Sequence, residues 1–388
     1  MFGYTKENWT QINGLNTASE IYQQPRLWGE VIEIVKSNIE EIGNYLEKRL
    51  NKKDIRVILT GAGTSAYVGE IVAAKLNEGK KSIYESIATT DIVDNPELYL
   101  KKDIPTILVS FARSGNSPES VAAYNLANEL VSDISHIFIT CNNEGKLAKI
   151  STGKENILLL TMPEESNDKG FAMTSSFSCM TLASLLIFDL ENFKKNEKQV
   201  MKLISIGEII LDEGYKGIQP IISDDYNRII YLSSSNFRGL TKESALKLLE
   251  LTRGQIVSQS ETVLGFRHGP KSIVNDKSVI IVYISDNDYT RKYEIDILKE
   301  IYYDVGNHKL IAISNNYYEE IEDITDKYLY LTKDKSEIEN IGLISLLYAI
   351  YAQVFSLFYS VKSEVEPDNP NPSGLVNRVV KGVTIYKY

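Results

Sequence analysis

Residues 56–65 read "RVILTGAGTS": an arginine, a short aliphatic run, then two glycines and small hydroxyls. The run is too short for a helix and lacks the alternation that would leave one side in water. It predicts a strand buried on both faces. Three more such runs follow, in "TILVSFARSGNSPES" (106–120), "HIFITCNN" (136–143) and "NILLLTMPE" (156–164), with helical spacing between them, as in "EIVAAKL" (70–76). The order then recurs. "RIIYLSSSNF" (228–237), "SVIIVYISDN" (278–287), "KLIAISNN" (309–316) and "KYLYLT" (327–332) repeat the four runs about 172 residues later. That period is far too long for a solenoid. Strands alternating with helices predict a parallel sheet covered on both faces. The chain therefore reads as α/β, with two tandem doubly wound parallel-sheet domains over 51–200 and 215–365. Outside them lie a helical N-terminal segment, 1–50, whose apolar residues from Leu27 to Leu50 recur at three and four, and an ordered tail, 366–388, where Pro and Asn preset turns. Polar "ENFKKNEKQ" and turn-forming "GYKGIQP" place the linker near 193–220.

The totals suit a soluble enzyme. Of 388 residues 43% are apolar and 24% charged, and the net charge is -10, which argues against a nucleic-acid partner. Cys141 and Cys179 form no ligand pattern with the three histidines, so they read as buried thiols in a reducing compartment, and neither a metal nor an organic cofactor is expected. "MFGYTKENWTQ" has no cationic start followed by an apolar core. The most apolar stretch, 341–358, contains Ser, Tyr and Gln and reads as a buried core helix rather than a membrane span. A cytoplasmic protein is expected.

Ligands of open α/β sheets bind beyond the carboxyl ends of strands. After the first run, Gly61 and Gly63 allow a tight turn and Thr64 and Ser65 face the mouth. The spacing is not that of a dinucleotide fingerprint. After the second run come Arg113, Ser114, Gly115, Asn116 and Ser117, with Ser117 as helix N-cap and Pro118 at the first helical position. Hydroxyls and N–H groups at a helix start make an anion pocket. Thr174, Ser175 and Ser176 repeat that chemistry before another apolar helix. In the second copy "YISDNDYT" stands at the matching place, so an anion there would face Asp286 and Asp288. The first domain should hold a phosphate and the second should supply something else. His268, set in "LGFRHGPK" (264–271), is a candidate acid/base group, because Gly and Pro hold it in a loop.

The "GAGTS" turn and the "RSGNS" loop, in tandem copies, resemble the sugar isomerase (SIS) family, whose domains are flavodoxin-like. "KESALKLLELT" (242–252), "GFRHGP" (265–270) and "NPNPSGLVNRVVKGVTI" (369–385) resemble the isomerase half of glucosamine-6-phosphate synthase. The tail together with "EIYQQPRLW" (20–28) is most similar to the AgaS-type deaminases and ketose/aldose isomerases. The resemblance implies that Glu250 shuttles a proton, that Lys247 lies near the substrate, that His268 opens the sugar ring and that Lys381 reaches the open-chain sugar. It implies that Ser114 and Ser117 bind phosphate, with Thr64, Ser65 and Thr174 in neighbouring positions; the loops themselves add Gly63, Asn116 and Ser175 as candidate phosphate-binding residues. The family usually has a hydroxyl at Ala112 and a glutamine at Arg113. Arg113 would add a phosphate contact or alter which sugar fits. A homodimer or higher oligomer, with His268 donated across subunits, is implied too.

These residues make chemical sense together. Moving a carbonyl between C1 and C2 needs an acid/base group to open the ring, one carboxylate near both carbons and a cation for the developing oxyanion. His268, Glu250 and Lys381 or Lys247 supply them. A glutamine-dependent amination is not expected, because the synthase's nucleophile is an N-terminal cysteine and position 2 here is Phe. The expectation is an amino-sugar-6-phosphate deaminase, galactosamine 6-phosphate giving tagatose 6-phosphate and ammonia. A plain hexose-6-phosphate isomerase, a non-catalytic sugar-phosphate sensor and a fructosamine-type deglycase are the alternatives. The sensor is disfavoured because residues 29–42 carry Glu30, Glu33, Glu40 and Glu41 and offer no basic recognition helix.

Overall fold

Strand β1, Arg56–Thr60, lies inside a parallel sheet with β2 (Tyr84–Ser86), β3 (Thr106–Ala112), β4 (Ile134–Thr140) and β5 (Ile157–Thr161) in the order β2-β1-β3-β4-β5. The computed structural model describes residues 1–78, 83–380 and 382–388. Every residue of β3 is buried, which accounts for its unbroken apolar run. On one face Ile58 and Leu108 pack with Ile92, Ala123, Ala127 and Val131. On the other, the helix Ser175–Ile187 is buried on all sides and packs against the helices Gln24–Ser37 and Thr64–Leu76.

A second parallel sheet repeats the plan. It contains β6 (Arg228–Ser233), β7 (Val257–Thr262), β8 (Ser278–Ile284), β9 (Lys309–Asn316) and β10 (Lys327–Thr332), in the order β10-β9-β8-β6-β7. Read from the other edge, this is the order of the first sheet, and all pairings are parallel. Ile230, Leu232, Ile280, Val282 and Leu310 form its core with Ile297, Leu298 and Ile301 of the helix Asp288–Tyr303. The helix Ile341–Lys362 is long and apolar enough to cross a membrane by length and composition, but 94% of its most apolar window is buried in the protein. It packs against Arg238–Leu251 as a core helix, as the sequence predicts.

Two compact units result, Met1–Tyr22 with Met201–Pro370 and Gln23–Val200 with Asn371–Tyr388. Their limits differ from those expected. The N-terminal helices do not act as one segment over 1–50 but divide after Tyr22. Trp9, fully buried, belongs with the second sheet, where the Asp368 carboxylate accepts hydrogen bonds from the backbone N–H (2.7 Å) and hydroxyl (2.7 Å) of Thr17. The helix Gln24–Ser37 instead buries Leu27, Trp28, Val31 and Val35 in the first-sheet unit, and Trp28 Nε1 donates to Ser178 Oγ at 3.0 Å. The end of the tail joins that unit as well.

Candidate active site

In the first-sheet unit β1 and β3 are neighbours, with Thr60 opposite Ser110, and the strand order reverses between them. A ligand crevice opens at the carboxyl ends of such a pair. The turn leaving β1 needs its glycines. A Cβ on Gly61 would stand 2.5 Å from that of Ser65, and Gly63 has φ +56° at the cap of the helix Thr64–Leu76. Beyond β3, Gly115 has φ +67°, and Ser117 caps the helix Pro118–Leu130 by accepting the Ser120 N–H at 3.3 Å, as expected. The loop is braced from behind. Asn116 Oδ1 accepts the Lys146 N–H at 3.0 Å and Asn142 Nδ2 donates to the Ser114 carbonyl at 2.9 Å. The loop with Gly63, Thr64 and Ser65 and the loop with Ser114, Asn116 and Ser117 thus leave the carboxyl ends of two paired strands.

The third loop differs from expectation. Asp168, fully buried, receives the N–H groups of Thr174 (2.8 Å), Ser175 (3.0 Å) and Ser176 (2.9 Å) and the Ser176 hydroxyl (2.5 Å). The helix start does bind an anion, but that anion is the protein's own carboxylate. Thr174 and Ser175 hold Asp168 in place. Arg113 is only 7% exposed, and its guanidinium donates to the carbonyls of Phe171 (3.1 Å), Gly170 (3.4 Å) and Arg378 (2.8 Å). These donors tie the loop after β3 to the 170–171 segment and to the tail. Cys141 and Cys179 are buried, and burial pushes the Cys141 thiol up to about 12, so it is no nucleophile.

In the second-sheet unit the helix Arg238–Leu251 carries three ionisable residues on one face. Lys247 forms ion pairs with Glu250 and, at 3.5 Å, with Glu243. The Lys247 and Glu243 side chains are 1% exposed, whereas Glu250 is 25% exposed. Lys247 is thus buried against Glu250 and paired with its carboxylate. His268 ends a short turn, Gly265–His268, beyond β7 and is exposed. The loop around it is pinned. Phe266 is fully buried, and Arg267 (2.6 Å) and Lys271 (2.6 Å) both bind Glu300. Gly269, at φ +124°, turns the chain in a way no other residue tolerates easily.

The carboxyl edge of the second sheet is occupied by carboxylates. Glu294, fully buried, accepts the Ser285 N–H at 2.7 Å, and its carboxyl is pushed up to about 7, chiefly by burial, against hydrogen bonds from Ser234 and Ser285. Asp286 accepts from Asn315 (2.6 Å), Asn316 (2.7 Å) and Tyr318 (2.8 Å). Glu250 lies on the last turn of a crossover helix, which runs back toward the amino ends of the strands. A search of loops after strands could not have found it. Lys381 lies outside the described residues. Among the described residues no group of three or more His, Cys, Asp or Glu could hold a metal ion.

Two parallel α/β sheets of one strand order, with a hydroxyl-capped loop in one unit and a lysine-paired glutamate in the other, match the layout that the sequence resemblance implies for a sugar isomerase. The SIS domain family matches residues 49–189. The D-galactosamine-6-phosphate deaminase AgaS of Shewanella sp. (strain ANA-3) is 40% identical over 385 residues, 98% of this chain and 94% of that protein. A solved structure from Clostridium novyi NT is 47% identical, with TM-score 0.98 over 100% of this chain and 99% of its own. The tagatose-6-phosphate ketose/aldose isomerase of Escherichia coli is 36% identical, with TM-score 0.84 over 97% of each chain. The chain belongs to the SIS-domain family of AgaS-type enzymes.

Proposed function

We propose that this protein is an amino-sugar-6-phosphate deaminase that converts galactosamine 6-phosphate and water to tagatose 6-phosphate and ammonia. The near-full-length identity to an AgaS deaminase carries the reading, and the site chemistry agrees with it. Thr64, Ser65, Ser114, Asn116 and Ser117 hold the phosphate on hydroxyls and helix-start N–H groups. His268, exposed on a pinned loop, moves a proton to the ring oxygen as the pyranose opens. Glu250 takes the C2 proton. The C2–H electrons form a C1=C2 bond, and the aldehyde oxygen accepts a proton. Return of the proton to C1 leaves a C2 iminium, water adds there and ammonia departs. The substrate carbonyl is the electron sink, so the step requires no cofactor. Lys247 orients the Glu250 carboxylate through their ion pair, and Lys381 steadies the oxygen at C1.

The two repeats, 51–200 and 215–365, divide this labour, and the tail 366–388 delivers Lys381. A cytoplasmic homo-oligomer, with His268 serving a neighbouring subunit, completes the reading. The Escherichia coli neighbour's name favours one second reading, isomerisation without loss of nitrogen. Both are tested by incubating the enzyme with galactosamine 6-phosphate, glucosamine 6-phosphate and tagatose 6-phosphate in D2O. Ammonia from galactosamine 6-phosphate is the expected result. No ammonia, with exchange of the C1 proton of tagatose 6-phosphate into an aldose product, would establish the plain isomerase. Neither reaction, with the sugar phosphates still raising the melting temperature, would mark a sensor.

A further inference from the structure

Past residue 370 the tail forms no helix or strand among the described residues, and Leu375, Val376 and Val380 are exposed. Its last residue, Tyr388, is tied down by its hydroxyl, which donates to Glu97 at 2.6 Å. Upstream, the stretch before Lys381 is held by side-chain bonds from two arginines. Arg378 Nε donates to the Asp168 carbonyl at 2.9 Å. Its Nη2 donates to the same oxygen and to Asn167 Oδ1 at 3.4 Å. Arg113 Nη2 donates back to the Arg378 carbonyl at 2.8 Å, while Nη1 holds the carbonyls of Phe171 and Gly170. The Asp168 side chain meanwhile caps the helix Ser175–Ile187 through three N–H groups. The loop after β3, the 167–176 loop and the tail therefore converge on one pair of guanidiniums. Planar guanidiniums are suited to this, since each fork fixes direction as well as distance. Arg378 stands three residues before Lys381.

We propose that Arg113 and Arg378 are positioning residues that clasp the tail to the phosphate loop, so that the tail lysine is delivered to the reacting carbons. The catalytic half of this inference rests on the role proposed above for Lys381. A misplacement of about 1 Å can cost two orders of magnitude in turnover, so the clasp would be read in kcat rather than in phosphate affinity.

Two readouts test it on the full-length enzyme: cleavage after Lys381 by a lysine-specific protease, followed by mass, and kinetics with galactosamine 6-phosphate. Arg378→Ala should be cleaved about 10-fold faster than wild type and lose about 10²-fold in kcat, with KM within about 2-fold. In a Lys381→Ala background it should cost nothing further. Equal cleavage rates would overturn the clasp. A kcat loss that multiplies with that of Lys381→Ala would overturn its action through the lysine. Wild-type turnover by Lys381→Ala alone would overturn the lysine role and with it the catalytic half, while the cleavage rate separately judges the clasp. Arg113→Gln should repeat the faster cleavage with KM unchanged. Raised KM with wild-type cleavage would return Arg113 to the phosphate and remove it from the clasp.

Discussion

A buried ammonium between two carboxylates, as at Lys247, is a poor stabiliser and a good positioner. Desolvation consumes much of the attraction, but removing one partner leaves an uncompensated buried charge. Lys247→Met is expected to lower stability by about 3–5 kcal/mol in urea unfolding, and Glu243→Gln in the same chain should restore part of it. His268 stands in contrast, being exposed on a loop held by Phe266, Arg267 and Lys271. His268→Ala should leave the melting temperature unchanged and reduce turnover of ring-closed substrate by about 10²-fold, with a smaller loss on an open-chain analogue. Equal losses on both would remove its ring-opening role. At this scale the sequence was partly legible. The histidine stood out by its Gly-Pro setting, whereas Glu250 emerged only through resemblance, because a carboxylate on a helix looks like any surface residue. Asp168 carried no signal at all. Three of its partners are backbone N–H groups, which leave no pattern of residue types.

Elements with strong local rules were readable. Ser117 followed by Pro118 marked a helix start, and the structure has that cap. Ser117→Ala should cost about 1 kcal/mol in unfolding free energy, measurable by denaturant titration, and should also raise KM if the hydroxyl meets phosphate. The strands β2 and β7 were missed for a physical reason. Tyr84–Ser86 is three residues long, and "VSQSET" at 257–262 is a polar edge strand with no fully buried residue. Their pairing is dictated by a central neighbour, β1 or β6, rather than by their own composition. The missing β7 mattered, because the His268 loop leaves from its end.

For the molecule as a whole, one strand order shared by two sheets was legible, since the same succession of apolar runs recurs at a constant interval. The allotment of the chain ends was not. It depends on pairs such as Asp368 with Thr17, distant in sequence and specified only after folding. One global property follows from the core. His136 on β4 is fully buried, and desolvation, aided by Lys154, holds its imidazole down to about 3. An unfolded histidine titrates near 6.5, so the unfolded chain binds the extra proton between those values. This group's contribution is complete above about pH 6.5 and is lost as the pH falls toward 3, at up to about 1.4 kcal/mol per pH unit. His136→Gln should flatten acid unfolding over that window, and an unchanged slope would show that other groups govern it.

The central claim is that one carboxylate, Glu250, carries the C2 proton to C1 and that nitrogen leaves as a result. Ammonia release from galactosamine 6-phosphate, measured for wild type and Glu250→Gln, tests it most directly. The account predicts steady release by wild type and loss of at least about 10³-fold in the variant, with the fold intact by circular dichroism. Release by Glu250→Gln at a wild-type rate would contradict it and place the base elsewhere in the protein.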